Sequence, residues 1–171
     1  MATAARDIIP PAIGSDALKQ RQSELAANDK PTVFNVAGQL LARGRTDTPL
    51  AATEDMSIRL KIYAEGGENE LHAHPGEDHS FIVLQGSVRF YGPENEETVL
   101  AANQGIMLPK GNMYWFTAIP GEPLVMLRIG SPNFQKLPEI DRIDADGNPM
   151  RGDSKKNKSE PIEYLDGQFY G

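Results

Sequence analysis

Gly66-Gly-Glu-Asn-Glu-Leu-His72-Ala-His74-Pro-Gly-Glu-Asp-His79-Ser-Phe-Ile-Val-Leu-Gln-Gly86 holds every histidine of this 171-residue chain. Alternate side chains of a strand share a face, so His72 and His74 point the same way, and His79, Phe81, Val83 and Gln85 share a face of the strand that follows the Pro75 to Asp78 turn. Three imidazoles can therefore converge in one mouth. Neutral imidazole suits Fe(II), Mn, Ni, Cu and Zn alike, and three protein ligands leave coordination positions open for water, substrate or dioxygen. Two plainer readings stand beside this one: histidines solvated at a polar strand edge, or a closed structural zinc site, for which no fourth ligand is evident.

Outward from this stretch the period stays close to two. Met56 to Tyr63 alternates apolar and polar residues, which places Met56, Ile58, Leu60 and Ile62 inward and Arg59 and Lys61 outward. Further strand-like runs are Glu70 to His74, His79 to Gln85, Ser87 to Tyr91, Glu97 to Ala101, Ile106 to Leu108, Tyr114 to Ile119 and Leu124 to Ile129. Turn chemistry separates them (Pro75-Gly76, Gly86, Gly92-Pro93, Gly105, Lys110-Gly111-Asn112, Pro120-Gly121) and no helical pattern interrupts them. The expectation is an all-β barrel or sandwich over residues 31–131.

The flanks differ from this centre. Residues 1–30 read as an extension in which Ser15 to Asn28 forms a short helix, with Ser15 as N-cap, Leu18 and Leu25 on one face, and an end at Lys30-Pro31. Thr32 to Val36 and Gly38 to Arg43 read as strands, and Gly44 to Thr53 as a loop through Pro49. Residues 132–171 are proline-punctuated and polar. Arg151 to Glu160 has no apolar residue, so this tail cannot build a core of its own. Its Phe134, Leu137, Ile140, Ile162, Tyr164, Leu165, Phe169 and Tyr170 are expected to dock on the barrel or on a second subunit. Asp144-Ala-Asp146-Gly-Asn lacks the later ligands of a calcium loop and reads as a turn, and Arg151-Gly-Asp153 reads as incidental.

Composition narrows the function classes. A net charge of −7 argues against a general nucleic-acid binder, which needs a basic face to neutralise phosphates. No run approaches the roughly 18 apolar residues of a membrane span, and the start of the chain has no apolar h-region of signal-peptide length, so a cytoplasmic protein is expected. The absence of cysteine removes disulfides, thiolate ligands and thiol nucleophiles.

Two segments carry a family resemblance. Gly66, five residues, His72-Ala-His74, four residues, His79, six residues and Gly86 resemble the first signature of the cupin superfamily, G-x5-H-x-H-x3,4-E-x6-G, with His79 where the family usually has Glu. Asn103 to Tyr114 is similar to the second signature, G-x5-P-x-G-x2-H, keeping Pro109 and Gly111 but with Asn103 for the first Gly and Tyr114 for the His. A turn shorter by one residue would put Asp78 in the family's Glu position, though the spacing to Gly86 and the strand parity favour His79. Glu77 then caps the turn or supports a ligand.

The resemblance implies a double-stranded β-helix, or jelly-roll, barrel with a short N-terminal helix and an irregular C-terminal tail, assembled as a homodimer. It implies one divalent transition metal per chain on His72, His74 and His79, Fe(II) ahead of Mn, Ni, Zn or Cu. Tyr114, in the place of the last His, faces this cavity either as a ligand, donor or base, or as a lining aromatic with a satisfied hydroxyl. Phe81, Met107, Phe116 and Met126 are expected to wall an apolar pocket with few polar handles, and Trp115, of opposite parity, to pack elsewhere. All-His cupins resemble dioxygenases that cleave diketones, phenols and related enolisable compounds. Alternatives are a metal-dependent lyase or isomerase with Tyr114 as acid or base, and a cupin that binds a small molecule without turnover.

Overall fold

A computed structural model of the protein describes residues 8–64, 70–132, 142–152 and 161–171. Gly66 of the first signature, Phe134, Leu137, Ile140 and Asp153 lie outside the described residues. One helix, α1 (Ser15–Ala26), precedes the strands β1 (Gly38–Arg43), β2 (Arg45–Ala52), β3 (Ser57–Tyr63), β4 (His72–Ala73), β5 (Glu77–Gln85) and β6 (Ser87–Tyr91). They are followed by β7 (Glu97–Ala101), β8 (Gly105–Leu108), β9 (Trp115–Ala118), β10 (Leu124–Pro132), β11 (Ile143–Asp144) and β12 (Glu163–Tyr170). The strands pair antiparallel into a five-stranded sheet, β2-β3-β10-β5-β8, a three-stranded sheet, β7-β6-β9, and the two ribbons β1-β12 and β11-β4.

Between the two larger sheets lies the first apolar cluster. Phe81, Val83, Leu124 and Met126 from one sheet meet Val88, Phe90 and Phe116 from the other, all buried. Their rings pack edge-on or tilted, with centroids 5.1 Å apart for Phe90 and Phe116 and 5.6 Å for Phe81 and Phe116, the separations that aromatic quadrupoles favour. The outer face of the five-stranded sheet is covered as well. Leu60, Ile62 and Val125 pack there against Leu40 and Leu41 of β1, with Phe34, Val36, Ile162, Leu165 and Tyr170 around them.

This second layer changes how β3 is read. Ile58, Leu60 and Ile62 do turn to an apolar layer, but it is the outer one, and Met56 is exposed. Arg59 and Lys61, expected to face solvent, line the interior of the barrel together with Tyr63. A strand covered on both faces has no solvent side, so a polar residue in alternation marks the polar face and nothing more.

Other elements depart from expectation for local reasons. Residues 45–52 are strand β2 and not a loop: it forms an edge of its sheet, where a proline costs no ladder hydrogen bond, and a register shift falls between Pro49 and Ala51. Thr32 to Val36 forms no strand; Phe34 and Val36 pack on the second cluster while Val33 is exposed. Ser15 is the first helical residue and Gly14 occupies the N-cap, with no side-chain cap bond, and α1 ends at Ala26, short of Pro31. The tail contributes more than docked side chains, since β12 pairs with β1 of the same chain and β11 with β4. Asp144 forms the expected turn: its Oδ1 accepts the backbone N–H groups of Asp146 and Asn148 at 3.0 and 2.9 Å. No helix among the described residues is long and apolar enough to cross a membrane.

Gly86 and Gly111, anchors of the two signatures, both have positive φ, 74° and 82°. A Cβ on Gly86 would fall 3.1 Å from the backbone of Leu124 and Pro123, whereas one on Gly111 meets nothing within 4 Å. Gly111→Ala is expected to cost about 1 kcal/mol of left-handed strain, and Gly86→Ala at least about 1 kcal/mol more for the contact with backbone that cannot step aside. Urea unfolding of the two variants checks this; equal losses would mean the β5–β6 corner relaxes freely.

Candidate functional site

β4 and β5 bring the three histidines together at one end of the barrel. His72 is fixed by an isolated two-bond bridge to Tyr114, Tyr114 N–H donating to His72 O at 2.9 Å and His72 N–H to Tyr114 O at 3.1 Å. His74 turns the chain toward β5, its carbonyl accepting Gly111 N–H at 3.0 Å. On β5, Glu77, His79, Phe81 and Val83 alternate on the inward face, as parity required. Asp78 has the opposite parity: it is exposed, and its Oδ1 accepts Lys110 N–H at 2.8 Å.

The rings cluster with His74 in the middle, its centroid 5.3 Å from that of His72 and 5.0 Å from that of His79. Imidazoles that share an ion through nitrogens at about 2.1 Å have centroids about 4.5–5.3 Å apart, so these neighbour spacings fit a metal. The donor chemistry fits too. His72 Nδ1 lies 2.7 Å from the Glu70 carbonyl, which can only accept, so the proton is on Nδ1 and Nε2 keeps its lone pair. His74 Nδ1 faces Glu77 Oε2 at 3.5 Å, the carboxylate–histidine arrangement that orients a ligand. As the side chains stand, however, no group of three or more His, Asp or Glu side chains among the described residues closes on one point. His79 Nε2 is engaged by the Tyr114 hydroxyl at 3.0 Å, and would exchange that bond on taking up an ion.

Burial holds His72 well below the ordinary imidazole range, with the Arg142 charge adding to it, and it does the same to His79 with the help of Arg128. Both are neutral rings at physiological pH. Tyr114 is the polar end of the aromatic cluster, its ring 4.4 Å from His72 and 6.0 Å from Phe81, and burial pushes its phenol up to about 12.

The cavity above these rings has a volume of about 240 Å³ and is not the apolar pocket expected. Lys19, Arg45, Arg59, Lys61, Arg128 and Arg142 line it, with Asp47 and Glu77 as the acids. Arg128 on β10 is buried and forms a two-point pair with Glu77, at 2.8 and 2.6 Å. Burial alone would raise Glu77, but Arg128 outweighs it and holds the carboxyl below its ordinary value. Asp47 on β2 takes Lys61 Nζ at 2.6 Å and Arg59 Nη1 at 3.3 Å on the same oxygen, Oδ2. Residues 12–22 roof the space: Ala12 N–H donates to Asp47 O at 2.9 Å, and Gln22 is the buried residue of α1.

Of the expected wall, Phe81 and Phe116 line the cavity. Met126 is buried in the first cluster instead, and Met107 is 66% exposed, because it pairs with Ser80 on the face of β8 that turns away from His79. Trp115 stacks on Tyr91 at 4.0 Å, outside the site. The charged residues were the ones that pattern reading missed. Their signal was a lone arginine, Arg128, within the apolar run Leu124 to Ile129, since a strand buries a charge only against a partner.

Residues 59–130 match the family model described as a cupin domain. Over 65 residues the chain is 34% identical to the uncharacterized protein YdbB of Bacillus subtilis, a match covering 38% of this chain and 56% of that protein. The chain thus spans little more than half the length of the curated relative it matches. Among solved structures it is similar to a conserved protein with a double-stranded β-helix domain from Klebsiella pneumoniae, with a TM-score of 0.55 and 17% identity over 63% of this chain and 89% of that one. It is also similar to the Cnp3 cupin domain of Schizosaccharomyces pombe, with a TM-score of 0.50 and 16% identity over 57% and 72% of the two chains. The fold is the cupin double-stranded β-helix.

Asp47 supplies a test of the ion network. Burial raises its pKa, yet Arg59 and Lys61 outweigh burial and leave it below the ordinary value. A carboxyl depressed in the fold stabilises it fully above the unfolded pKa of about 3.9 and loses that contribution as pH falls toward the folded value. Asp47→Asn is therefore expected to cost about 3 kcal/mol at neutral pH, with the gap to the parent protein narrowing by about pH 3. Urea midpoints at the two pH values check it; a gap independent of pH would show that Asp47 acts through packing alone.

Proposed function

We propose that this protein is a metal-dependent enzyme acting on a small molecule held in the barrel mouth, with His72, His74 and His79 as ligands of one divalent transition metal. Fe(II) is placed ahead of Mn, Ni, Zn or Cu, and the reaction is a dioxygenase reaction on a small enolisable or phenolic compound. The observation that carries the reading is the cluster of three histidines, with neighbouring ring centroids at 5.0 and 5.3 Å, of which His72 and His74 line the same roofed cavity as Tyr114 while His79 meets the Tyr114 hydroxyl. Three neutral ligands suit borderline metals, and such an ion, when bound, supplies Lewis acidity and, if redox-active, access to dioxygen chemistry.

The chain's own residues define the rest of the proposal. Glu70 O and Glu77 orient two of the imidazoles through Nδ1, leaving Nε2 for a ligand bond. Tyr114, freed from His79 Nε2, offers its O–H to a substrate oxygen as a positioned donor or acid. Phe81 and Phe116 pack against the substrate's carbon skeleton, and α1 excludes water.

Elemental analysis of anaerobically purified protein, with oxygen uptake on a panel of diketones and phenols, tests this reading. Replacing any one of the three histidines with Ala is expected to lower metal content about tenfold or more while the barrel stays folded, because the two apolar clusters carry the core. Tyr114→Phe is expected to keep the metal and slow turnover about 10²-fold. Normal turnover in Tyr114→Phe would reduce the residue to a lining aromatic, and turnover without oxygen uptake would assign lyase or isomerase chemistry. Full metal content in all three histidine variants would end the proposal.

A further inference from the structure

The cavity distributes its charge in a way the proposed chemistry does not by itself require. Arg59, Lys61 and Arg128 share two carboxylates, Asp47 and Glu77, so one positive charge is left over within this set. Glu77 is fully used by Arg128, both oxygens taking a guanidinium N–H. Asp47 is half used: Lys61 and Arg59 both reach Oδ2, while Asp47 Oδ1 is buried with no hydrogen-bond partner among the described residues. Arg59 Nε is likewise buried with no partner, on a residue only 8% exposed. Lys19, Arg45 and Arg142 line the cavity as well.

A buried donor without an acceptor costs about 1–3 kcal/mol, more for a charged group. Arg59 and Lys61 line the cavity while sharing a single carboxylate oxygen, so a ligand acceptor entering it meets a guanidinium and an ammonium that one acid only partly neutralises. The surrounding chain is acidic, with a net charge of −7, so the surplus positive charge belongs to the cavity and not to a generally basic surface. The volume of about 240 Å³ equals about eight waters at roughly 30 Å³ each, room for a small organic acid and little else.

We propose that the ligand of this cavity is a small carboxylate, received by Arg59 with Lys61 beside it. A planar guanidinium matches a carboxylate in geometry as well as charge. With the enolisable group of the proposed substrate, the ligand is an enolisable keto acid or hydroxy acid whose carboxylate meets Arg59 and Lys61 on the cavity wall. The inference deepens the proposed function by naming the substrate class and rests on that reading for turnover, though not for binding.

Calorimetric titration of the full chain with acetylpyruvate, its methyl ester and acetylacetone tests this, because the three share an enolisable diketone and differ in the carboxylate. Metal-free protein is used first, so that a carboxylate bound to an ion is not mistaken for one bound to Arg59, and metal-loaded protein second. Acetylpyruvate is expected to bind about tenfold or more tightly than either neutral compound, with the ratio shrinking as salt is raised. Arg59→Gln is expected to abolish the ratio while leaving acetylacetone affinity and metal content unchanged; should that variant fold poorly, the comparison of acid with ester in the parent protein decides alone. Equal binding of acid and ester, displacement of acetylpyruvate by inorganic phosphate at equal concentration, or no binding of any of the three at millimolar concentration would overturn the proposal. Each of these would leave the metal reading to its own test, since metal content is measured without ligand.

Discussion

Covering the five-stranded sheet on both faces is the constraint from which the rest of the structure follows. Each residue of β3, and of β10 from Leu124 to Arg128, is directed either to the outer apolar layer under β1 and β12 or to the barrel interior, and neither direction is open water. Alternation along these strands therefore sorts side chains between two kinds of interior. Ile58, Leu60 and Ile62 go to the layer that excludes polar groups; Arg59, Lys61 and Arg128 go to the cavity, where carboxylates meet them.

That sorting makes the ion pairs structural as well as chemical. Arg128 lies opposite Arg59 on one side and Phe81 on the other, so two like charges would face each other across β3 and β10 without Asp47 and Glu77. Glu77 in turn touches both Arg128 and His74, which links the charge network to the histidine cluster through one carboxylate. Gly130 is part of the same fit, since a Cβ there would run into the Glu77 carboxylate.

The flanking segments complete this design instead of decorating it. Residues 12–22 close the cavity, held by Ala12 N–H on Asp47 O and by Arg21 on the Pro10 carbonyl at 2.8 Å. The C-terminal strand β12, too polar to stand alone, becomes stable by pairing with β1 and adding Ile162, Leu165 and Tyr170 to the outer layer. Without such a cover, Leu60 and Ile62 would face water and the distinction between the two faces of the sheet would disappear.

Local pattern was enough for the strands β6 and β7 and for the parity that puts His79 and Phe81 on one face, because period-two alternation and turn residues act over a few positions, whereas Tyr114 was placed near the imidazoles only by the resemblance to the cupin signature. It was not enough for anything that depends on what lies across the strand. Arg59 and Lys61 look solvent-facing in sequence because Asp47, their partner, lies a strand away on a segment that Pro49 disguises as a loop. Met107 reads as a pocket wall until its pairing with Ser80 turns it to the outside. Strand parity is a property of the chain, but the identity of each face, apolar layer, charged cavity or solvent, is set by the segments that fold over it from far away in sequence.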